Sequence, residues 1–399
     1  MRKYILVLLF SQVICFFENT NLYDKVYFDY LGVQKQLFDE LFGNYNENLS
    51  PVFTRGVEDD LTVFKNATNT NKWNYTIYTY YLKLLDVDEP SEKVSFAIEL
   101  MELWYDARLS WNVSAYNDIE TMYVRQSSVW SPTLSAFGVS DIQDFRDSDF
   151  RQVSISYTGK LYTYIPIAIS VNCPLHLAMF PFDEQTCFIR FSQPIYYSRE
   201  ISIFTEFYDV ILKPQQLAAM GNSEWKVMNL SGRTDVVRYG DGISDIELAT
   251  IEITMRRNPM YYFYMIVLPS YIINTVSIFG VFMKSADKMS KLTVGITTMM
   301  TMTFILGIMA NSIPATSLIP LLGIYIIINL SIMIVSIGII AFIGKFRIAV
   351  VDILERSKSK HSSQIKWFIG RPLETLLVCI LHVINSINFF VMIIIWIST

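Results

Sequence analysis

The sequence predicts an extracellular all-β sandwich followed by a four-helix transmembrane bundle, and three observations carry that prediction. The chain changes character at Pro259: short alternating runs precede it, and four long, nearly charge-free runs follow it. It opens on Met1-Arg2-Lys3 and an apolar stretch to Phe17, the pattern of a secretory signal peptide. And it is short of charge, with 17% charged against 52% hydrophobic residues in 399, where soluble chains carry about 25% charged.

Taken in order, residues 1–17 read as the signal peptide, too short to span a bilayer; a buried N-terminal strand is the bland alternative. Residues 18–258 read as the β-sandwich. Leu161, Thr163, Ile165, Ile167, Ile169 and Val171 share one parity, and Val94, Phe96, Ile98 and Leu100 alternate in the same way. Val153–Tyr157 joins the first of these runs through Thr158-Gly159-Lys160, a hairpin signal. Sequons at Asn48, Asn66, Asn74, Asn112 and Asn229 together favour a glycosylated, luminal or extracellular face. Another, at Asn329, falls in an apolar run and is discounted.

Residues 259–399 read as the membrane domain, with spans at about 261–283, 292–313, 318–343 and 373–397. Each is long enough at 1.5 Å per residue to cross a hydrocarbon core of about 30 Å. Lys284, Lys288 and Lys291 follow the first span, and a basic segment at about 344–372 follows the third. Positive charge marks the cytoplasmic side, so the β-domain and the C-terminus lie outside. The basic segment either lines ion exits or faces anionic membrane lipid.

Composition excludes other classes. A net charge of −5 speaks against a nucleic-acid partner. Three histidines, His176, His361 and His382, leave little for a metal site. No nucleophile elbow, zinc-binding helix or phosphate loop marks an enzyme, and no cofactor is implied. Of the four cysteines, Cys15 leaves with the signal peptide and Cys379 lies in the fourth span. Cys173 and Cys187, with 13 residues between them, are then the economical disulfide. In the chain-entropy account such a loop closure contributes about 3 kcal/mol.

In the second span Thr293, Thr297, Met300, Phe304, Ile308 and Asn311 recur every three or four residues and share one helix face. A ring of such helices would line a pore, wettable at its inner end and closed by an apolar constriction. Threonines that merely glue helices together in lipid are the competing reading.

The loop core Phe180-Pro181-Phe182-Asp183 resembles the signature of Cys-loop receptors, the pentameric ligand-gated ion channels. Trp104-x-Asp106-x-Arg108-Leu109-x-Trp111, Trp130-Ser131-Pro132, Glu224-Trp225 and Arg256-Arg257-Asn258-Pro259 follow in the family's order, from about Val26 to the C-terminus. Glu224-Trp225 and the double arginine resemble acetylcholine-receptor subunits, whereas Gly295–Thr303 resembles the anion-conducting branch. The resemblance implies a multi-pass plasma-membrane receptor of synaptic type, assembled with other channel subunits and opened by a small-molecule agonist. For selectivity it points to Asp287, Lys288, Ser290 and Lys291. The family's Pro-Ala-Arg and Glu are both missing there, and the lysines favour anions unless they only anchor the helix. For the agonist it points to Phe137, Tyr196 and Tyr239, with Glu99 where the complementary face usually offers an aromatic. Glu99 could instead pair with an amine, titrate, or be a solvated strand residue. Pro194 and Thr133 depart from the pattern, and no adjacent cysteine pair lies near Tyr239, so the subunit reads as non-alpha. For gating it implies that Phe182 and Asp183 press on the linker at Pro314, and that Glu89 pairs with Arg256 or Arg257. The alternatives kept are a cation-selective channel, an accessory subunit without a principal ligand site, and a non-conducting receptor or adhesion subunit.

Overall fold

The computed structural model describes residues 25–52, 72–146, 150–240, 245–283, 287–312, 319–356 and 372–398. The signal segment, Asn66, Lys284, Pro314 and His361 lie outside these residues.

The first described element is a helix, α1, over residues 25–42, within the region that the sequence reading treats as strands and turns. Its period is helical in retrospect: Leu37 is fully buried, with Val33 and Leu41 packed beside it at four-residue spacing. Eleven strands follow among the described residues. β1 (Trp73–Asp88), β2 (Lys93–Ser110), β3 (Thr121–Arg125), β5 (Val139–Asp144), β6 (Gln152–Ser156), β7 (Thr158–Asn172) and β9 (Ile201–Phe207) form one sheet, in the order β3-β6-β7-β2-β1-β9 with β5 also on β7. β10 (Trp225–Val237), β11 (Ile246–Arg257), β8 (Glu184–Ser192) and β4 (Ser135–Phe137) form the other, in that order. A short helix, α2 (Pro214–Met220), leads into β10.

Alternation decides what is inside. Leu161, Thr163, Ile165, Ile167, Ile169 and Val171 on β7 are all buried, as are Val94, Phe96, Ile98 and Leu100 on β2, so these strands meet in register with their apolar faces inward. The β6–β7 hairpin turns through Tyr157, and Gly159 follows at φ +79°, with room for no side chain: a Cβ there would meet the Asp106 carbonyl oxygen at 2.7 Å. That is a position for glycine on both counts.

Among the described residues, four helices are long and apolar enough to cross a membrane. They are α3 (Met260–Phe282), α4 (Lys288–Ser312), α5 (Leu321–Arg356) and α6 (Pro372–Ser398). Within α3, Phe263–Val267 is one π-helical turn. Pro269 follows it, lacking a donor and crowding the carbonyl one turn back, which the wider turn accommodates. α5 does not stop where its apolar run ends near Ile343; the helix continues to Arg356, into the segment expected to be loop. The bundle is pinned inside by amides. Asn274 on α3 donates to Asn329 on α5 at 3.3 Å and to Asn385 on α6 at 2.8 Å, and Asn388 donates to Asn329 at 2.9 Å. Asn329 is fully buried here, which disposes of its sequon.

Candidate ligand, gating and pore sites

At the junction of the two halves, β11 ends on adjacent arginines that alternation sends opposite ways. Arg256 faces outward and pairs with Glu184 at 3.2 Å, both half-exposed. Arg257 is 2% exposed and faces inward, where its Nε donates to Asp183 Oδ1 at 3.0 Å and its Nη1 to Glu89 at 2.8 Å and Glu224 at 2.5 Å. Tyr262, at the head of α3, donates to Glu224 at 2.7 Å. The guanidinium also lies over Trp225, at 4.1 Å from the ring centroid, and over Phe180 at 4.8 Å. Burial alone would lower its pKa; the Asp183 charge, with Tyr262, Glu89 and the hydrogen bonds to the acids, holds it above the ordinary arginine value.

The loop that carries Asp183 is closed by the Cys173–Cys187 disulfide, both sulfurs buried. Asp183 accepts from Gln185 Nε2 at 2.7 Å, and Gln185 in turn holds the His176 backbone, so the acid is positioned within its own loop. Phe180 stacks edge-on against Tyr262 at 4.7 Å, while Phe182 is buried beside it in the core. The loop also meets α5: the Leu321 and Leu322 N–H groups donate to the Ala178 and Phe180 carbonyls at 3.0 and 3.2 Å. The first N–H groups of a helix have no partner within it, so the loop caps α5.

The agonist-region residues fall around one end of the β10-β11-β8-β4 sheet. Ser192 on β8 pairs with Ser135 and with Leu248, which brings the Trp130–Ser135 segment, the Gln193–Tyr197 segment and the β10–β11 hairpin close together. Trp130 sits edge-on to Trp73 at 5.6 Å, and its backbone N–H donates to Tyr45 at 2.9 Å. Tyr45 donates to Asp106 at 3.0 Å, and Arg108 clamps the same carboxylate. The Trp104–Trp111 motif is thus the brace beneath Trp130. Phe137 lies on β4 opposite Arg190 and is half-exposed. The Tyr196 hydroxyl donates to Ser50 at 2.8 Å, and the Tyr239 N–H to Asp245 at 3.2 Å. Among the described residues no ring contact joins Phe137, Tyr196 and Tyr239, so a single chain does not close an aromatic box. Glu99 stands on the outer face of β2 against Tyr164, whose hydroxyl is pushed up to about 12 by burial and by that carboxylate; Arg146 lies over the Tyr164 ring.

Helix α4 has two faces. Gly295, Met302 and Met309, seven apart, are buried against the bundle; a Cβ at Gly295 would strike Ile337 of α5 at 2.7 Å. About half a turn away at 3.6 residues per turn, Thr293, Thr297, Met300, Phe304 and Ile308 are exposed, Met300 at 67% and Phe304 at 69%. Asn311 lies in the same helix. The first turn holds Lys288, Ser290 and Lys291, and the Ser290 hydroxyl donates to Asp287, which holds that carboxyl below its usual range.

Sequence reasoning named Arg257, Glu89 and Asp183 for this junction but missed Glu224, Trp225 and Tyr262 as their companions. The sequons at Asn48, Asn74, Asn112 and Asn229 are all on exposed positions.

Comparison with known proteins bears on all three regions. The neurotransmitter-gated ion-channel ligand binding domain matches residues 34–259, and the neurotransmitter-gated ion-channel transmembrane region matches residues 266–367. The mouse neuronal acetylcholine receptor subunit alpha-6 is 27% identical, over 84% of this chain and 62% of its own length. The human alpha-3 subunit is 27% identical over 78% of this chain and 58% of its own. The Drosophila melanogaster acetylcholine receptor subunit beta-like 2 is 22% identical over 82% and 60%. The chain spans about three fifths of the length of these relatives. With the ligand-binding match alone covering more than half of the residues, and the buried Arg257 junction joining a β-sandwich to four apolar helices, the chain belongs to the neurotransmitter-gated ion-channel family, the Cys-loop receptors.

Proposed function

We propose that the chain is one subunit of a pentameric channel opened by a small extracellular ligand and conducting ions across the plasma membrane. The observation that carries this reading is α4: its Thr293–Ile308 face is exposed in the single chain, although it is apolar over Met300, Phe304 and Ile308. Five copies around an axis would give that face a use, with hydroxyls at the inner end and an apolar constriction above them. Expression in oocytes tests it. Ligand-evoked current from this chain alone, or with a homologous subunit, supports the channel; surface delivery without current in either case refutes it.

In the same proposal the mature subunit begins after residue 17, its sandwich runs to residue 258, and Asn48, Asn66, Asn74, Asn112 and Asn229 accept glycans. The agonist sits between subunits, with Phe137, Tyr196 and Tyr239 on one face and Glu99 on the other. Lacking the adjacent cysteine pair, the chain is of non-alpha type, although the relatives include alpha subunits. Selectivity leans to anions, because Lys288 and Lys291 repeated five times make the inner mouth positive. The cation-selective reading is favoured by the acetylcholine-receptor relatives and by Asp287 at the same mouth. Ion substitution separates the two: a reversal potential that follows sodium rather than chloride ends the anion reading. An accessory role without a principal site is the outcome if current appears only with a partner subunit and survives Tyr239→Ala.

A further inference from the structure

The segment between β9 and β10, residues 208–224, starts beside the ligand face of β1 and ends in the gating junction, and one lysine of β1 holds it. At its start the Tyr208 N–H donates to the Thr79 carbonyl at 3.3 Å, and the Tyr208 ring lies 4.6 Å from that of Tyr80. Near its end the half-buried Lys83 ammonium donates to the Ala219 carbonyl at 2.7 Å and to the Gly221 carbonyl. The last carbonyls of a helix have no partner within it, so Lys83 closes the end of α2 from the neighbouring strand. An ammonium is a compact donor with three N–H bonds, able to reach two carbonyls two residues apart.

What lies beyond that contact gives it a consequence. Gly221 is buried, and its backbone runs so close to Trp225 that a Cβ there would meet the Trp225 carbonyl oxygen at 2.2 Å. Asn222 closes the turn: its N–H donates to the Trp225 carbonyl at 2.9 Å, and its Oδ1 accepts from the N–H groups of Glu224 at 3.0 Å and Trp225 at 2.7 Å. The Glu224 carboxylate presented by this turn accepts from Arg257 and Tyr262, and its carbonyl accepts from the Asn258 N–H at 2.6 Å, immediately ahead of α3. β1 itself ends one residue before Glu89, the other acid on Arg257 Nη1. Glu89 by chain connection and Glu224 through Lys83 are therefore both referred to β1. Two residues before Lys83 on that strand, Tyr81 pairs with Glu99 of β2, on the face assigned to the ligand.

We propose that Lys83 is a positioning residue for gating. It makes the Gly221–Trp225 turn follow β1, so that a displacement of the ligand face at Glu99 reaches Glu224, Arg257 and Tyr262 together. The proposal rests on the reading of the chain as a ligand-gated channel. Without the ammonium the Ala219 and Gly221 carbonyls turn to water, and Glu224 follows Arg257 without reference to β1. A lysine that merely capped α2 would leave the amides beyond Asn222 unchanged, and those amides are what the test reads.

The first arm is amide hydrogen exchange of the full chain in lipid nanodiscs, for the parent, Lys83→Met and Lys83→Arg. Lys83→Met keeps the length and removes the donors; exchange at Asn222, Glu224, Trp225 and Asn258 should become about tenfold faster, the worth of a hydrogen bond from a charged donor. Lys83→Arg, which keeps donors, should restore most of the protection. In the second arm acetylcholine, 4-aminobutyrate and glycine are applied in turn to oocytes expressing each variant. Any of them that opens the parent should need about fivefold or more in concentration for half-maximal current in Lys83→Met, with surface labelling unchanged and recovery in Lys83→Arg. Unchanged exchange at Glu224 and Asn258 in Lys83→Met, a loss confined to residues 219–222, or a parent-like half-maximal concentration in a conducting Lys83→Met channel overturns the proposal. Silence of the parent to all three ligands bears on the channel reading; the exchange at Asn258 still decides for or against Lys83.

Discussion

Arg257 gathers three carboxylates from three places in the chain, Glu89 before β2, Asp183 in the disulfide loop and Glu224 before β10. A buried ion cluster costs desolvation that only its mutual attraction offsets, so removing the one cation is the worst change available. Arg257→Gln should destabilise the domain by about 3–5 kcal/mol, read as a fall in melting temperature and in surface delivery. Arg256→Gln, which breaks a half-exposed pair, should cost about 1 kcal/mol or less. Exchanging charges between Glu89 and Arg257 should give no rescue, because Asp183 and Glu224 would then surround an acid; recovered stability in the double variant would show that Glu89 is the dominant partner. Glu102 allows a second prediction at this scale. Its folded pKa is raised above its ordinary 4.5 to about 7, so the folded state holds the proton more tightly, and stability falls as pH rises through 7. Glu102→Gln should therefore raise the melting temperature at pH 8 and leave it nearly unchanged at pH 4.5; equal melting of the two proteins at pH 8 refutes the assignment. The choice between the two arginines was legible in principle, since Ile251, Ile253, Met255 and Arg257 share the buried parity of β11. Glu224 and Tyr262 were not, because nothing local in the chain says which distant elements a buried guanidinium will meet.

At the scale of elements, strands with period two and spans without charge were readable because each pattern is repeated over many residues. α1 was not, since its apolar contacts are few and its Val26, Tyr27 and Phe28 are exposed, which blurs a helical stripe. The extension of α5 was hidden for a related reason: past Ile343 its residues become charged, which marks the end of an apolar run and not the end of a helix. The asparagines of the bundle are polar residues in apolar spans, and their pairing depends on how the helices cross. Asn385 both accepts from Asn274 at 2.8 Å and donates to Thr275 at 3.0 Å, so it ties α6 to α3. Interhelical hydrogen bonds of this kind are each worth about 0.6 kcal/mol in a membrane, at most about 1.7. Asn385→Leu should then cost about 1–2 kcal/mol in detergent unfolding, with α6 the first helix to gain protease sensitivity. A loss below the scatter of repeat melts would mean that the amides find substitute partners.

For the whole molecule, membership of the family makes the chain a multi-pass plasma-membrane protein with its β-domain outside the cell. The two halves share one core: Phe180 and Phe182 of the disulfide loop belong to the same buried cluster as Met302 of α4 and Leu322 and Tyr325 of α5. A motion of the sandwich would thereby reach the helix bundle through packed side chains and through the loop carbonyls that cap α5. α4 touches α3 and α5 by its Gly295, Met302 and Met309 face, so a tilt of the bundle would move the opposite face toward or away from the axis of an assembled pentamer. Met300 is the apolar residue of that face nearest its hydroxyl-bearing end, and a ring of five thioether side chains would hold water out when the face is drawn in. Met300→Ser replaces that ring by hydroxyls and should leave the closed pore wet. Expected is a standing leak current in the absence of agonist, or activation at lower agonist concentration, with surface expression unchanged because the side chain is largely exposed within its own subunit. Met302→Ser, on the buried face, should instead reduce surface expression without producing a leak. Voltage-clamp recordings of the two variants beside the parent chain decide it: if Met300→Ser reaches the surface and gates as the parent does, the constriction lies elsewhere on α4.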